Sequence, residues 1–175
     1  MILTIASDTW VDAPAETVWD HITQVDIASF RHPPLFSLLG IPKPLRAETT
    51  EFGVGGTRTA FFSQDRRFEQ KITRWEPFQH FAFTFQASPN FRVGYLLDLA
   101  GGPFRMTAGA YRLTPERGGV GLRLSSEYVL DGPVGVLLFV PVRIVLILFQ
   151  RYLLRGIKAN AERDAAAAAG GVTRA

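Results

Sequence analysis

The alternation of apolar and polar residues changes its period once along this chain. As far as about residue 131 it is mostly the alternation of strands, and from about Pro133 to Ala166 it is that of one long helix. The helical stretch opens with an apolar run, Val134 to Phe149, interrupted only by Pro141 and Arg143. Past Gln150 it turns amphipathic. Leu153, Leu154, Ile157 and Ala161 fall on one stripe, and Arg151, Arg155, Lys158 and Glu162 on the other. This is the pattern of a helix whose first half is buried and whose second half lies on a surface. Pro141 removes the backbone bond to Leu137 and predicts a kink or a break there.

Upstream, residues 2–11 alternate loosely and are rich in Ile, Thr, Trp and Val, which suits a strand. Asp12 to Glu16 reads as a helix start, with Pro14 tolerated in the first turn. Val18, Trp19 and Ile22 form the buried face of that helix, and Ile27 to Phe30 makes one more turn before Pro33 and Pro34 end it. Leu35 to Pro44 is apolar but broken by Gly40, Pro42 and Pro44. A loop with such contents must tuck its side chains away, which makes it a candidate lid over a cavity. Strands are predicted at about 45–52, 57–64, 67–75, 79–87, 103–114 and 120–131, while 88–102 is less regular. Phe81, Phe83 and Phe85 share one strand face. Leu122, Leu124, Ser126, Tyr128 and Leu130 share another, opposite Arg123, Ser125 and Glu127.

The order is one strand, a helical excursion of two short helices, six more strands and a long helix. That is an α+β chain in which a curved seven-stranded antiparallel sheet wraps the C-terminal helix. Residues 1–166 make one domain, and 167–175, rich in Ala and Gly, form a tail expected to fray.

Composition narrows the chemistry. Fourteen Phe favour a wide core or an apolar pocket. The absence of Cys excludes disulfides, thiolate nucleophiles and Cys-held metal, and fits a cytoplasmic location. The net charge is +3, with the excess toward the C-terminus: Arg143, Arg151, Arg155, Lys158, Arg163 and Arg174 stand against Glu162 and Asp164. This reads first as a solvated helix face, and second as a surface for anionic lipid or an acidic partner. Basic residues are not interleaved with aromatics on a nucleic-acid module, so nucleic acid is not an expected partner. The apolar run is short for a membrane span and carries Pro141 and Arg143 in its middle. Met1 to Ile5 lacks the pattern of a signal peptide.

Five segments in this order resemble the START-like, helix-grip superfamily, also called SRPBCC or polyketide cyclase/dehydrase-like. They are Val11 to Trp19, Gly53 to Arg58, Ile72 to Pro77, the hairpin pieces Tyr111 to Pro115 and Leu122 to Leu124, and Leu154 to Glu162. The resemblance implies a sheet gripping the last helix with a ligand cavity between them. It also implies ligands such as lipids, polyketides or quinones, with cyclisation or dehydration in some relatives. The apolar segment 134–149 departs from the pattern, and its bulky side chains either line that cavity or fill it.

Few residues carry candidate chemistry. The three histidines are far apart, with no metal-ligand spacing, and neither a metal nor a cofactor is expected. His21 reads as solvated and His80 as structural. His32, beside the lid, is the one candidate for proton transfer. Arg105 and Arg143 are candidates to reach into the cavity, against the alternatives of a salt bridge to Asp98 or Glu127 or of plain exposure. Phe83 and Phe85 are candidate walls, and Tyr95, Tyr111, Tyr128 and Gln150 candidate hydrogen-bonding groups for a ligand's polar end. Gly53 to Gly56 leads into a strand, so no helix N-terminus is present to take a phosphate. Three readings follow. One is a module that binds a small hydrophobic molecule. Another is a cyclase or dehydratase, which needs an acid–base pair converging on the cavity. The third is a membrane-surface or protein-partner role for the apolar, basic helix.

Overall fold

A computed structural model describes residues 1–87, 92–93, 97–98 and 102–172. Strand β1, Ile2–Val11, is followed by helix α1, Ala15–Thr23, the short strand β2, Val25–Asp26, and helix α2, Pro34–Leu38. Strands β3 (Pro44–Thr49), β4 (Thr57–Phe62), β5 (Arg67–Glu76) and β6 (His80–Ala87) come next. A small hairpin, β7 (Arg92–Val93) with β8 (Leu97–Asp98), precedes the long strands β9 (Phe104–Glu116) and β10 (Gly119–Leu130). Helix α3 runs unbroken from Gly132 to Val172, through Pro141 and past the expected end near Ala166.

The main sheet is antiparallel throughout, in the order β1-β10-β9-β6-β5-β4-β3-β2, and curls around α3. It has eight strands, not seven. The extra one is β2, two residues that leave α1 and pair with Ala47 and Arg46 at the sheet edge, too short to show an alternation. Register shifts at Pro44/Arg46, Ile72/Arg74 and Glu127/Tyr128 interrupt the ladders, and such bulges bend the strands that carry them.

Parity in the strands decides what meets the helix. In β10 every even residue from Val120 to Leu130 is buried, including Ser126. In β6 Phe81 and Phe83 are buried and Phe85 is partly so. The core falls into two clusters. One joins α1, the centre of the sheet and the second half of α3, through Leu154, Ile157 and Ala161. The other joins Ile5, Phe68, Phe104, Tyr128, Leu130 and Val142 under the first half of α3. Gly156 lets the helix approach α1's trailing segment, since a Cβ there would lie 2.6 Å from Ile27 Cγ2.

The second half of α3 is also latched by polar bonds. Lys158 Nζ donates to the Trp10 carbonyl at 2.6 Å and to Glu162 Oε1 at 2.7 Å. Glu162 Oε1 accepts the Asp12 backbone N–H at 2.9 Å. That bond and the Lys158 contact hold the Glu162 carboxyl below its ordinary pKa. His21, expected to be solvated, instead meets Asp164 Oδ2 at 2.9 Å and ties α1 to α3.

Candidate functional site

The apolar residues of α3 do not fill the space under the sheet. A cavity of about 290 Å³ lies between them, near the lower limit of about 300 Å³ usual for ligand pockets. Its helix wall is Leu138, Pro141, Val142, Val145, Leu146, Phe149, Gln150 and Leu153. Its sheet wall includes Ala60, Phe62, Phe68, Phe83, Phe85, Met106 and Leu124. Leu39, Ile41, Pro42 and Pro44 line it, so the segment expected to act as a lid does border the cavity, although its first four residues, from Leu35 to Leu38, are helical as part of α2. Gly109 keeps part of the wall open, because a Cβ there would lie 2.7 Å from the Phe83 ring.

The polar residues of the lining are Arg46, Arg58, Gln70, Tyr111, Ser126 and Gln150; Arg46 is half exposed and pairs with Glu48 at 2.6 Å, and the buried ones gather around two groups. The first is Arg58, which reaches inward from β4 and is 2% exposed. Its position follows from strand parity, since it shares a face with Ala60 and Phe62 and stands directly opposite Gln70 in β5. Its Nη1 donates to Gln70 Oε1 at 2.8 Å and its Nη2 to the Ile22 carbonyl of α1 at 2.8 Å. The guanidinium lies 5.4 Å and 5.5 Å from the ring centres of Phe81 and Phe83, a cation–π arrangement that recovers part of the lost hydration. The Tyr111 hydroxyl is a further partner. Burial lowers the pKa of Arg58, opposed by Tyr111, and burial raises the pKa of Tyr111, opposed by Arg58. A guanidinium keeps its charge through such a shift. Among the described residues Nε has no hydrogen-bond partner, and no carboxylate neutralises the charge. A buried cation in this state carries an uncompensated desolvation cost.

The second polar group is Gln150. Its Oε1 accepts from Ser7 Oγ at 2.9 Å, and its Nε2 donates to Ser126 Oγ at 2.9 Å and to the Ile5 carbonyl at 3.5 Å. This amide is satisfied by the protein itself and anchors the middle of α3 to β1 and β10. Of these two buried groups, Arg58 is the one left with spare donor capacity.

Of the residues singled out from sequence, Phe83, Phe85, Tyr111 and Gln150 line the cavity. Arg105 does not. It is half exposed and pairs with Asp131 Oδ2 at 2.7 Å, while Glu127 accepts from Thr107 at 2.8 Å instead. Arg143 does not line it either, because the turn of the helix places it on the outer face, exposed. Tyr128 is fully buried beside Phe104, at 5.9 Å between rings, and lies in the core rather than in the cavity wall. His32 stands outside the lining too. Its Nε2 meets the Ile41 carbonyl at 3.0 Å, so Nε2 carries the proton and holds the lid segment. Tyr95 lies outside the described residues. Arg58 and Gln70 are the residues that sequence reading missed. Their signal was parity, a charged or polar residue at an inward position of an otherwise apolar strand face.

A family model described as polyketide cyclase/dehydrase and lipid transport matches residues 4–162. No curated protein matches the sequence. Solved structures with the same fold include protein TTHA0849 from Thermus thermophilus, at 19% identity, 91% and 97% coverage of this chain and that one, and a TM-score of 0.59. Ara h 8.0201 is similar at 15% identity, 92% and 98% coverage and a TM-score of 0.57. The Zhui aromatase/cyclase from Streptomyces sp. R1128 is similar at 14% identity, 93% and 95% coverage and a TM-score of 0.57. At these identities the likeness is one of fold.

Proposed function

We propose that this chain, which belongs to the polyketide cyclase/dehydrase and lipid transport family, holds a small hydrophobic molecule between its sheet and α3, with an anionic or strongly accepting oxygen of that molecule against Arg58. The observation that carries this reading is the buried Arg58 guanidinium, a cation with no carboxylate partner among the described residues, in the lining of a cavity whose walls are otherwise nearly all apolar. An apolar body gains by burial at about 25 cal/mol per Å². A carboxylate, phenolate or polarised carbonyl oxygen would supply the partner that the protein withholds.

Holding is favoured over turnover by the lining itself. Cyclisation or dehydration needs a group that exchanges a proton within reach of the substrate. Among the described lining residues there is no Asp, Glu, His or Lys. Tyr111 titrates, but burial moves its pKa further from neutrality.

The test is displacement of an apolar fluorescent probe by matched ligands, an aryl or fatty carboxylate and its methyl ester. A charge-assisted hydrogen bond is worth about 1.5–3 kcal/mol, so the carboxylate should bind at least about tenfold more tightly. In Arg58→Met that preference should vanish, with the fold checked by circular dichroism. Absence of probe binding, or equal affinities in the unaltered protein, would overturn the reading.

A further inference from the structure

The first half of α3 is apolar on both sides. Its inner face walls the cavity, yet its outer face carries Val136, Leu137, Val140 and Ile144, exposed by 72%, 80%, 60% and 53%. The most apolar 18-residue window of this helix has a mean hydropathy of 2.3, and 11% of it is buried. A helix apolar all round is ordinarily covered on every side. Across the lid, Leu35 and Leu38 of α2 and the following Leu39 are exposed as well. Leu39 and Pro141 both line the cavity and reach the surface, so the two apolar faces flank its opening.

Charge says what covers them. From Gly132 through Ala161 there is no Asp or Glu, while Arg143, Arg151, Arg155 and Lys158 are present. Arg143, Arg151 and Arg155 are exposed, in line with the outer apolar stripe. We infer that the outer face of α3 from Val136 to Arg151, with the α2 leucines, docks on a bilayer surface containing anionic lipid, apolar side chains entering the interface and arginines meeting the headgroups. A second copy fits less well, because a two-fold pairing of this face would bring arginines toward arginines. Crossing the bilayer does not fit. By length and composition the helix is long and apolar enough for a span, contrary to the expectation from the apolar run alone, but its inner face is committed to the cavity and its second half to the sheet and α1.

Docking is independent of which molecule the cavity holds. Co-sedimentation with phosphatidylcholine vesicles, with and without phosphatidylserine, tests it at low and high salt. Binding is expected to the serine-containing vesicles and to weaken with salt. The double variant Leu137→Asp/Val140→Asp should abolish it. Arg143→Glu/Arg151→Glu should reduce it by about 25-fold or more, since each surface cation contributes about fivefold. Probe binding in the cavity serves as the fold control and should survive in both variants, so loss of docking is separable from loss of the pocket. No sedimentation with anionic vesicles, or sedimentation unchanged in the Asp variant, would overturn the inference. So would ultracentrifugation showing a stable dimer that the Asp variant dissociates.

Discussion

The two halves of α3 are continuous in backbone and differ in what holds them. From Gln150 onward the helix is fastened by three means at once. Leu154, Ile157 and Ala161 are almost wholly buried, Gly156 permits contact with Ile27, and Lys158 and Glu162 bond the β1–α1 junction. Before Gln150 it has apolar residues in plenty, but it uses one face on a cavity and turns the other outward. Hydrophobicity is therefore a poor guide to contribution along this helix. The more apolar half is the less embedded one, because burial requires a facing surface and the sheet supplies one fully only to the second half.

Truncations sharpen that contrast. The largest effect is expected from Leu154→Ala, which removes a side chain 2% exposed and should cost about 2–5 kcal/mol, measured by chemical denaturation. Gly156→Ala comes next. Helix propensity favours it by about 1 kcal/mol, but the contact with Ile27 opposes it, and overpacking at about 1–3 kcal/mol should win, for a net loss read as a lowered Tm. Glu162→Gln should cost less than about 1 kcal/mol, because the pair with Lys158 is substantially exposed. Its signature is in pH. The folded carboxyl titrates below the unfolded one, so its stabilisation is present above the ordinary carboxylate pKa and is lost as pH falls through the folded value. The Gln variant should flatten that acidic part of the stability profile. The smallest effect is expected from Leu137→Ala, within about 0.5 kcal/mol, since this side chain is 80% exposed. A large loss there would show that the outer face is covered in solution, and would break the comparison.

The same contrast explains what could be read in advance. Strand β10 follows its alternation throughout and β6 over Phe81 to Phe85, because each is buried on one face, and the inward set Leu122 to Leu130 is that of period two, whereas bulges switch the parity within β5 and β9. Strand β2 could not be read in this way, since two residues carry no period. Arg143 and Arg105 are cations among apolar neighbours in the sequence, but helix phase and strand register carry them outside the cavity. Arg58 reads in the sequence as the last residue of a glycine turn, and its inward parity follows only from its pairing opposite Gln70.

The linear order of residues was enough to determine that a sheet of alternating strands must grip one long helix. Each pattern exposes an apolar face that only the other can cover. It also determined that the helix's basic residues gather on one stripe, because helix phase is a property of spacing alone. Only the tertiary structure decided which residues meet. The partnership of Arg58 with Gln70, Tyr111 and the Ile22 carbonyl joins four elements across the sheet and α1. The cavity itself is a volume left between surfaces, a quantity set by packing in three dimensions and by no single segment.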